Sequence, residues 1–442
     1  MKYANFKDTG RCSVNIGDYL QFMAADYLLY LMNVPKSDIV YLGFQEVIEY
    51  KGEDVIFPFC YSIIDFVRDG KISISSKIKP YFFAVTLSTV DKFMDLDQFL
   101  SDEFNYNYLS AHAPIGCRDE ITYQLLSEHY IPAYINGCMT AIFPHYIGRP
   151  GEKTLFVDAP KALLQYIPDL LLEECEFSTQ QYYFQQSDID NYKKMFDFVA
   201  EKYRKYSQAA KLVITSRLHV ALPLTALGIP VILAKDRVDG RFSFIESYIP
   251  IYGKEQYHSI NWNPEVPDIE KIKELLVAHA IGRLRNNIPE LELIKMEQDM
   301  TELFQTRKIE NTYQQSHIAT HNNGYIFDKY AAKYWKVDKH IQYAFWGVSE
   351  NNLEYWKRHI ETNYPYAELV AIFDSFREGQ IAGFSYRRPE TIIDFPGINI
   401  IVCSVGAAQQ AQRLFQHWNF EPKQYCITAD CFIRNEDVNK AD

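Results

Sequence analysis

At 442 residues the chain is long enough for two or three domains with sizeable cores, and its 48% hydrophobic and 23% charged residues are those of an ordinary globular protein. The net charge of −12 argues against general binding to nucleic acid or an anionic membrane surface, so an anionic substrate would need a local basic pocket. No segment reaches the roughly 20 apolar residues that span a bilayer, the opening MKYANFKDTGRCSVNIGDY lacks the apolar core of a signal peptide, and eight scattered cysteines without a CxxC read as reduced structural thiols in a cytoplasmic protein.

The first landmark is Asn15-Ile16-Gly17-Asp18, ahead of an apolar stretch over 19–32 that is predicted to be a helix. Gly17 permits close backbone approach, and Asp18 falls in the first helical turn, where capping alone would explain it. Strands are predicted over 38–44, 54–57 and 81–87, separated by helical or loop segments, which is the alternation of an α/β domain. In Gly116-Cys117-Arg118-Asp119-Glu120, Arg118 follows a short strand and opens a helix. A weak surface pairing with Asp119 or Glu120 is the plain alternative for it. Asn136-Gly137-Cys138-Met139-Thr140 reads as a tight turn, and Cys138, with no histidine near it in sequence, as structural.

The periodicity stops over 147–151, a candidate linker, and a fresh α/β alternation starts with a strand at 154–157. A strand over 175–177 and an amphipathic helix over 189–206 follow. Residues 212–233, LVITSRLHVALPLTALGIPVIL, read as strand, tight turn, helix and strand, one βαβ unit of a buried parallel sheet. Ser216, predicted to be the N-cap, together with Arg217 and His219 sits past the carboxyl end of the first strand, where open α/β sheets bind ligands. A cation and a titratable ring beside a helix N-terminus suit a carboxylate or phosphate, and local surface partners are the plain alternative. Lys235, Arg237 and Arg241 follow the second strand and are placed for the same edge.

Helical patterning resumes over 269–276 and 291–304. Residues 305–323 are polar and aperiodic, and their His317 and His321, spaced like a metal pair, come without a carboxylate motif, so no metal site is expected. The predicted organisation is therefore domain 1–148, domain 152–305, linker 306–336 and a small domain 337–442. The last alternates as a Rossmann-like domain, with strands over 341–347, 366–373 and 398–403. Its Gly347-Val348-Ser349-Glu350-Asn351-Asn352 keeps only the first glycine of GxGxxG, so a structural or sugar-nucleotide role suits it at least as well as a dinucleotide one, although Asp374 stands where a ribose-binding acid would.

Together the motifs Asn15-x-Gly17-Asp18, Gly116-Cys117-Arg118-Asp119, Ser216-Arg217-Leu218-His219 with the following Ala-Leu-Gly-Ile-Pro, and Arg241-Phe242-Ser243 resemble the polysaccharide pyruvyl transferase family, in order and in spacing. The resemblance spans about residues 5–305 and leaves the last domain uncovered. It implies an α/β fold with two Rossmann-like domains facing a cleft, as in GT-B glycosyltransferases, plus the small third domain. It also implies phosphoenolpyruvate as donor, no further cofactor, and a sugar of a growing bacterial surface or capsular glycan as acceptor, ending as a pyruvate ketal. By that resemblance Arg118, Arg217 and His219 bind the donor, Asp18 is an acidic site residue, Leu218 contributes its backbone, and Ser216, Asn15, Gly17 and Arg241 line the substrate site. His219 is then the candidate general acid and Asp18 a base or an electrostatic stabiliser. An acceptor assembled on a lipid carrier at the inner face of a membrane would leave room for peripheral association. Two other readings stay open: a GT-B glycosyltransferase using a nucleotide-sugar, and a non-catalytic glycan-binding or assembly protein. Donor competition separates the first from pyruvyl transfer.

Overall fold

The computed structural model describes residues 2–10, 13–87, 95–149, 151–236, 238–305, 318–348, 350–375, 377–429 and 433. The chain divides into two compact units, 1–313 with 432–442, and 314–431. The predicted domains 1–148 and 152–305 thus lie in one unit, and the chain crosses between their sheets near residue 151, where the Gly151 amide donates to the Ala210 carbonyl.

The larger unit holds two parallel sheets. In the first, β1 (Lys2–Asp8), β3 (Ile39–Gly43), β4 (Val55–Phe59) and β5 (Ile78–Phe82) pair in the order β3-β1-β4-β5. Their sequences run apolar with little alternation because both faces are covered. Phe6 of β1 lies fully buried among Phe22, Phe57, Phe59 and Phe66, with ring centroids 4.6–5.5 Å apart. Much of the aromatic surplus is therefore core. Strand β5 stops at Phe82, short of the predicted 87. Beyond it Thr86 and Val85 make single bridges to Ser62 and Cys117. Two short parallel strands, β6 (Ile115–Cys117) and β7 (Ala133–Ile135), follow around helix α2 (Glu120–Glu128).

The second sheet joins β8 (Lys153–Val157), β9 (Cys175–Ser178), β11 (Ala210–Thr215), β12 (Val231–Lys235) and β13 (Ile251–Gly253) in the order β9-β8-β11-β12-β13. The βαβ unit stands as predicted, with helix α4 (Leu218–Ala226) between β11 and β12. The two halves of the unit are stitched by an antiparallel pair, β2 (Ser13–Asn15) with β10 (Gln181–Tyr183), directly ahead of helix α1 (Ile16–Leu31). Helix α3 (Tyr192–Ala209) precedes β11, and α5 (Glu270–Arg285) and α6 (Glu290–Gln305) close the unit.

The smaller unit corrects the predicted linker. Residues Ile318–Tyr334 form helix α7, which buries Phe327 and Ala331, with Trp335 just beyond, at four-residue spacing. That stripe makes a helix worthwhile despite the polar residues before it. His321 lies in this helix, and His317 falls outside the described residues. The sheet combines β14 (Ile341–Trp346), β15 (Ala367–Phe373), β16 (Gln380–Ile381), β17 (Phe384–Arg387), β18 (Asn399–Val402) and β19 (Tyr425–Ile427) in the order β16-β17-β15-β14-β18-β19, parallel except for the β16 edge. This is a Rossmann-like arrangement with helices Glu350–Asn363 and Val405–His417 as crossovers. Asp374, at the end of β15, accepts a bond from the Arg377 amide and so orders its own loop.

Candidate active site

Three motif junctions of the larger unit meet around one imidazole. His219 is the second residue of α4, and Gly17 is the second residue of α1. A Cβ built on Gly17 would stand 2.7 Å from the His219 Cβ and 3.1 Å from its Nδ1. Only a residue without a side chain lets these two helix starts approach so closely. Asn15 caps α1, its Oδ1 accepting from the Gly17 amide at 3.1 Å. Asp18 follows in the first turn, partly buried.

The backbone behind His219 shows why that helix sits where it does. Pro223, four residues on, has no N–H to give to the His219 carbonyl. The orphaned oxygen takes a hydrogen bond from the Tyr203 hydroxyl on α3 instead. Tyr203 also lies 3.1 Å from the Gln180 side chain, and the Gln180 carbonyl receives the Ile16 amide at 2.9 Å. Helix α3, the α1 start and the α4 start are thereby tied together by buried bonds.

Arg118 approaches from the third junction. Its amide donates to the Val85 carbonyl at 2.8 Å, which places it between β6 and α2. Its side chain is only 11% exposed, yet its Nε has no hydrogen-bond partner, and the nearest carboxylate oxygen, on Asp119, is 3.9 Å away. That is too long for a hydrogen bond. The alternative pairing with Asp119 is thus reduced to a long ion pair without a hydrogen bond, and it lies away from solvent. Asp119 is fully buried and spends its oxygens capping α2 through the Thr122 amide and hydroxyl, and on the Thr86 hydroxyl. A nearly buried guanidinium with so little compensation is an anion site in waiting.

Arg241 completes the cationic surround. Asp239 grips it bidentately, at 2.8 and 3.0 Å. Its neighbour Ser243 accepts the Glu120 amide at the start of α2, and Gly240 packs so tightly that a Cβ there would meet Ile121 at 2.2 Å. Lys235 places its ammonium over the Phe242 ring, 4.4 Å from the centroid, while Arg237 falls outside the described residues. Burial, and then the charges of Arg118 and Arg241, push the His219 pKa from 6.5 down to about 3. The imidazole is neutral at physiological pH.

Other expected residues are placed differently. The N-cap of α4 is Arg217, not Ser216. The Ser216 hydroxyl instead donates to the Asp158 carbonyl at 2.7 Å, because the chain is still extended there beside β8. Arg217 directs Nε to the Asp158 carboxylate at 2.9 Å. Asp158 is buried, in the left-handed region at φ +48°, and also accepts the Gln180 amide. Leu218 opens the helix and packs against the core. Cys138 does have a histidine beside it, since its Sγ lies 3.7 Å from His219 Nε2. Sequence reasoning had set it aside, and had passed over Asp158, Gln180 and Tyr203 altogether. Pro223 was the one available signal, because a proline four residues past a helical carbonyl requires a donor from elsewhere. Among the described residues no His, Cys, Asp and Glu group is arranged to hold a metal ion, and no helix is long and apolar enough to cross a membrane.

The sequence model of the family "Polysaccharide pyruvyl transferase" matches residues 15–234. That range opens at the Asn15 cap and includes Arg118 and the Ser216–His219 motif, and it ends before Arg241. No curated protein matches. A crystal structure of a functionally uncharacterized protein from Klebsiella pneumoniae subsp. pneumoniae NTUH-K2044 is similar at 14% identity, covering 55% of this chain and 88% of that one, with a TM-score of 0.31. That likeness is too distant to bear on function. Through residues 15–234 the chain belongs to the polysaccharide pyruvyl transferase family, and it is an enzyme of that family.

Proposed function

We propose that the enzyme transfers pyruvate from phosphoenolpyruvate to a sugar of a surface or capsular polysaccharide precursor of a bacterium, forming a pyruvate ketal. The observation that carries the donor is Arg118, a nearly buried guanidinium with an unmatched Nε, set beside a neutral His219 and a second arginine, Arg241. Phosphoenolpyruvate brings a carboxylate and a phosphate, and guanidinium forks bind both in plane. Arg217 is held by Asp158, so its part is to brace the α4 turn until a ligand competes for it.

Donor charge has a direct chemical consequence here. Burial, and after it the two arginines, keep a proton off His219, and a bound dianion offsets the arginines' field, so the imidazole gains basicity when the donor arrives. His219 then serves as general acid toward the methylene carbon, which leaves a cation-like carbon for a sugar hydroxyl to attack. Asp18 accepts the hydroxyl proton or stabilises that positive charge. Phosphate departs, and a second hydroxyl of the same sugar closes the ketal ring. The two sheets of the larger unit serve as the cleft walls of a GT-B-like enzyme, and an acceptor on a lipid carrier would bring this protein to the inner face of a membrane.

The test is thermal unfolding with millimolar phosphoenolpyruvate. A ligand at a hundred times its Kd stabilises the folded state by about 2.7 kcal/mol. The wild type should shift, and Arg118→Ala should shift far less. A shift from nucleotide-sugars with none from phosphoenolpyruvate would replace pyruvyl transfer with glycosyl transfer.

A further inference from the structure

The pair formed by Cys138 and His219 has no counterpart in the proposed chemistry above. Cys138 is 1% exposed and lies in the turn after β7, where Gly137 adopts φ +65° and packs on Phe244. The rigid turn aims the sulfur at the imidazole, 3.7 Å from Nε2. On its other side the sulfur meets the Thr140 hydroxyl at 3.3 Å, and the Thr140 amide bonds to it as well. The Thr140 amide can only donate, whereas the hydroxyl contact can run either way; with the hydroxyl turned to donate as well, the thiol proton is left for the histidine. Burial pushes the thiol pKa up, so the proton is retained at neutral pH.

We propose that Cys138 is a positioning residue, whose thiol donates to His219 Nε2, fixes the ring plane and holds the ligand-free imidazole as the Nδ1–H tautomer. The second nitrogen then faces the start of α1 at Gly17. A neutral imidazole has one donor and one acceptor nitrogen, and the hydrogen bond made by one decides the state of the other. A weak S–H donor suits this role, because it orders the ring without holding it so strongly that protonation on donor binding is blocked. The proposal rests on the reading of His219 as the proton-handling group.

The experiment is nitrogen NMR of the full chain carrying 15N-labelled histidine, with the His219 signals assigned by their loss in His219→Gln. The wild type should show a protonated Nδ1 and a bare Nε2. Cys138→Ala, or Cys138→Val where the smaller side chain prevents folding, should show a mixture of tautomers. In turnover the same variant should lose roughly tenfold to a hundredfold in kcat, with donor KM changing less than about twofold. Cys138→Ser, which keeps a donor, should recover the wild-type tautomer. Unchanged nitrogen signals in Cys138→Ala and Cys138→Val, or a protonated Nε2 in the wild type, would overturn the assignment. So would a shifted tautomer with normal kcat, which would leave the contact without catalytic meaning. Full activity in His219→Gln would instead remove the reading of His219, whatever its tautomer.

Discussion

Gly17→Ala tests the geometry on which the site is built. The added methyl would lie 2.7 Å from the His219 Cβ, whereas carbon atoms rest about 3.5–4.0 Å apart. The starts of α1 and α4 must therefore separate by about 1 Å. Overpacking of this kind typically costs about 1–3 kcal/mol, and the better helix propensity of alanine returns up to about 1 kcal/mol. Gly17 has no positive φ, so no backbone strain adds to this. The net loss in stability is modest. The effect on turnover is not, because a displacement of about 1 Å at a catalytic ring can cost about a hundredfold. Phosphate release from phosphoenolpyruvate, measured over a panel of sugar acceptors beside a thermal melt, checks both numbers. A folded Gly17→Ala protein with wild-type turnover would mean that the helix starts have slack, and that the fit of the Asn15-x-Gly17-Asp18 motif against His219 is not what positions the ring.

His219 also shapes the acid side of the stability curve. Its pKa is about 3 in the fold and 6.5 when unfolded, so on acidification the unfolded chain takes up this proton first. Stability at this residue is intact above pH 6.5 and falls as the pH drops through the window down to about 3, by about 2 kcal/mol at pH 5. Urea unfolding of His219→Gln should show a correspondingly shallower loss between pH 7 and 5, and parallel profiles would contradict the buried cationic surroundings. Tyr203→Phe should cost about 1–3 kcal/mol, because the His219 carbonyl is left without a donor. Pro223→Ala restores an intrahelical N–H to that oxygen, so the double variant should lose markedly less than the sum of the two single ones, and strict additivity would refute the link.

The βαβ unit at 210–235 was legible in the sequence because its signals are local: two short apolar runs, a helical spacing of small residues between them, and Gly228 as the stop. Arg118 and His219 could likewise be placed at the starts of helices, since a strand followed by a helix puts its turn residues at the sheet edge. The helix at Ile318–Tyr334 was missed because Phe327 and Ala331, which it buries, become decisive only once a sheet is there to cover them. Side-chain direction was the other hidden quantity. Arg217 and Arg118 occupy equivalent positions in their motifs, yet the Nε of one bonds to Asp158 at 2.9 Å and that of the other has a carboxylate oxygen no nearer than 3.9 Å. Cys138 and His219 are 81 positions apart, and no local pattern reports that their turns converge. What the sequence determined by itself were the elements and the chemistry available at their ends, since periodicity and turn residues act over a few positions. Which of those groups meet, and which are neutralised on the way, was decided by the tertiary structure, because pairing across distant strands sets the distances on which charge, burial and proton affinity depend.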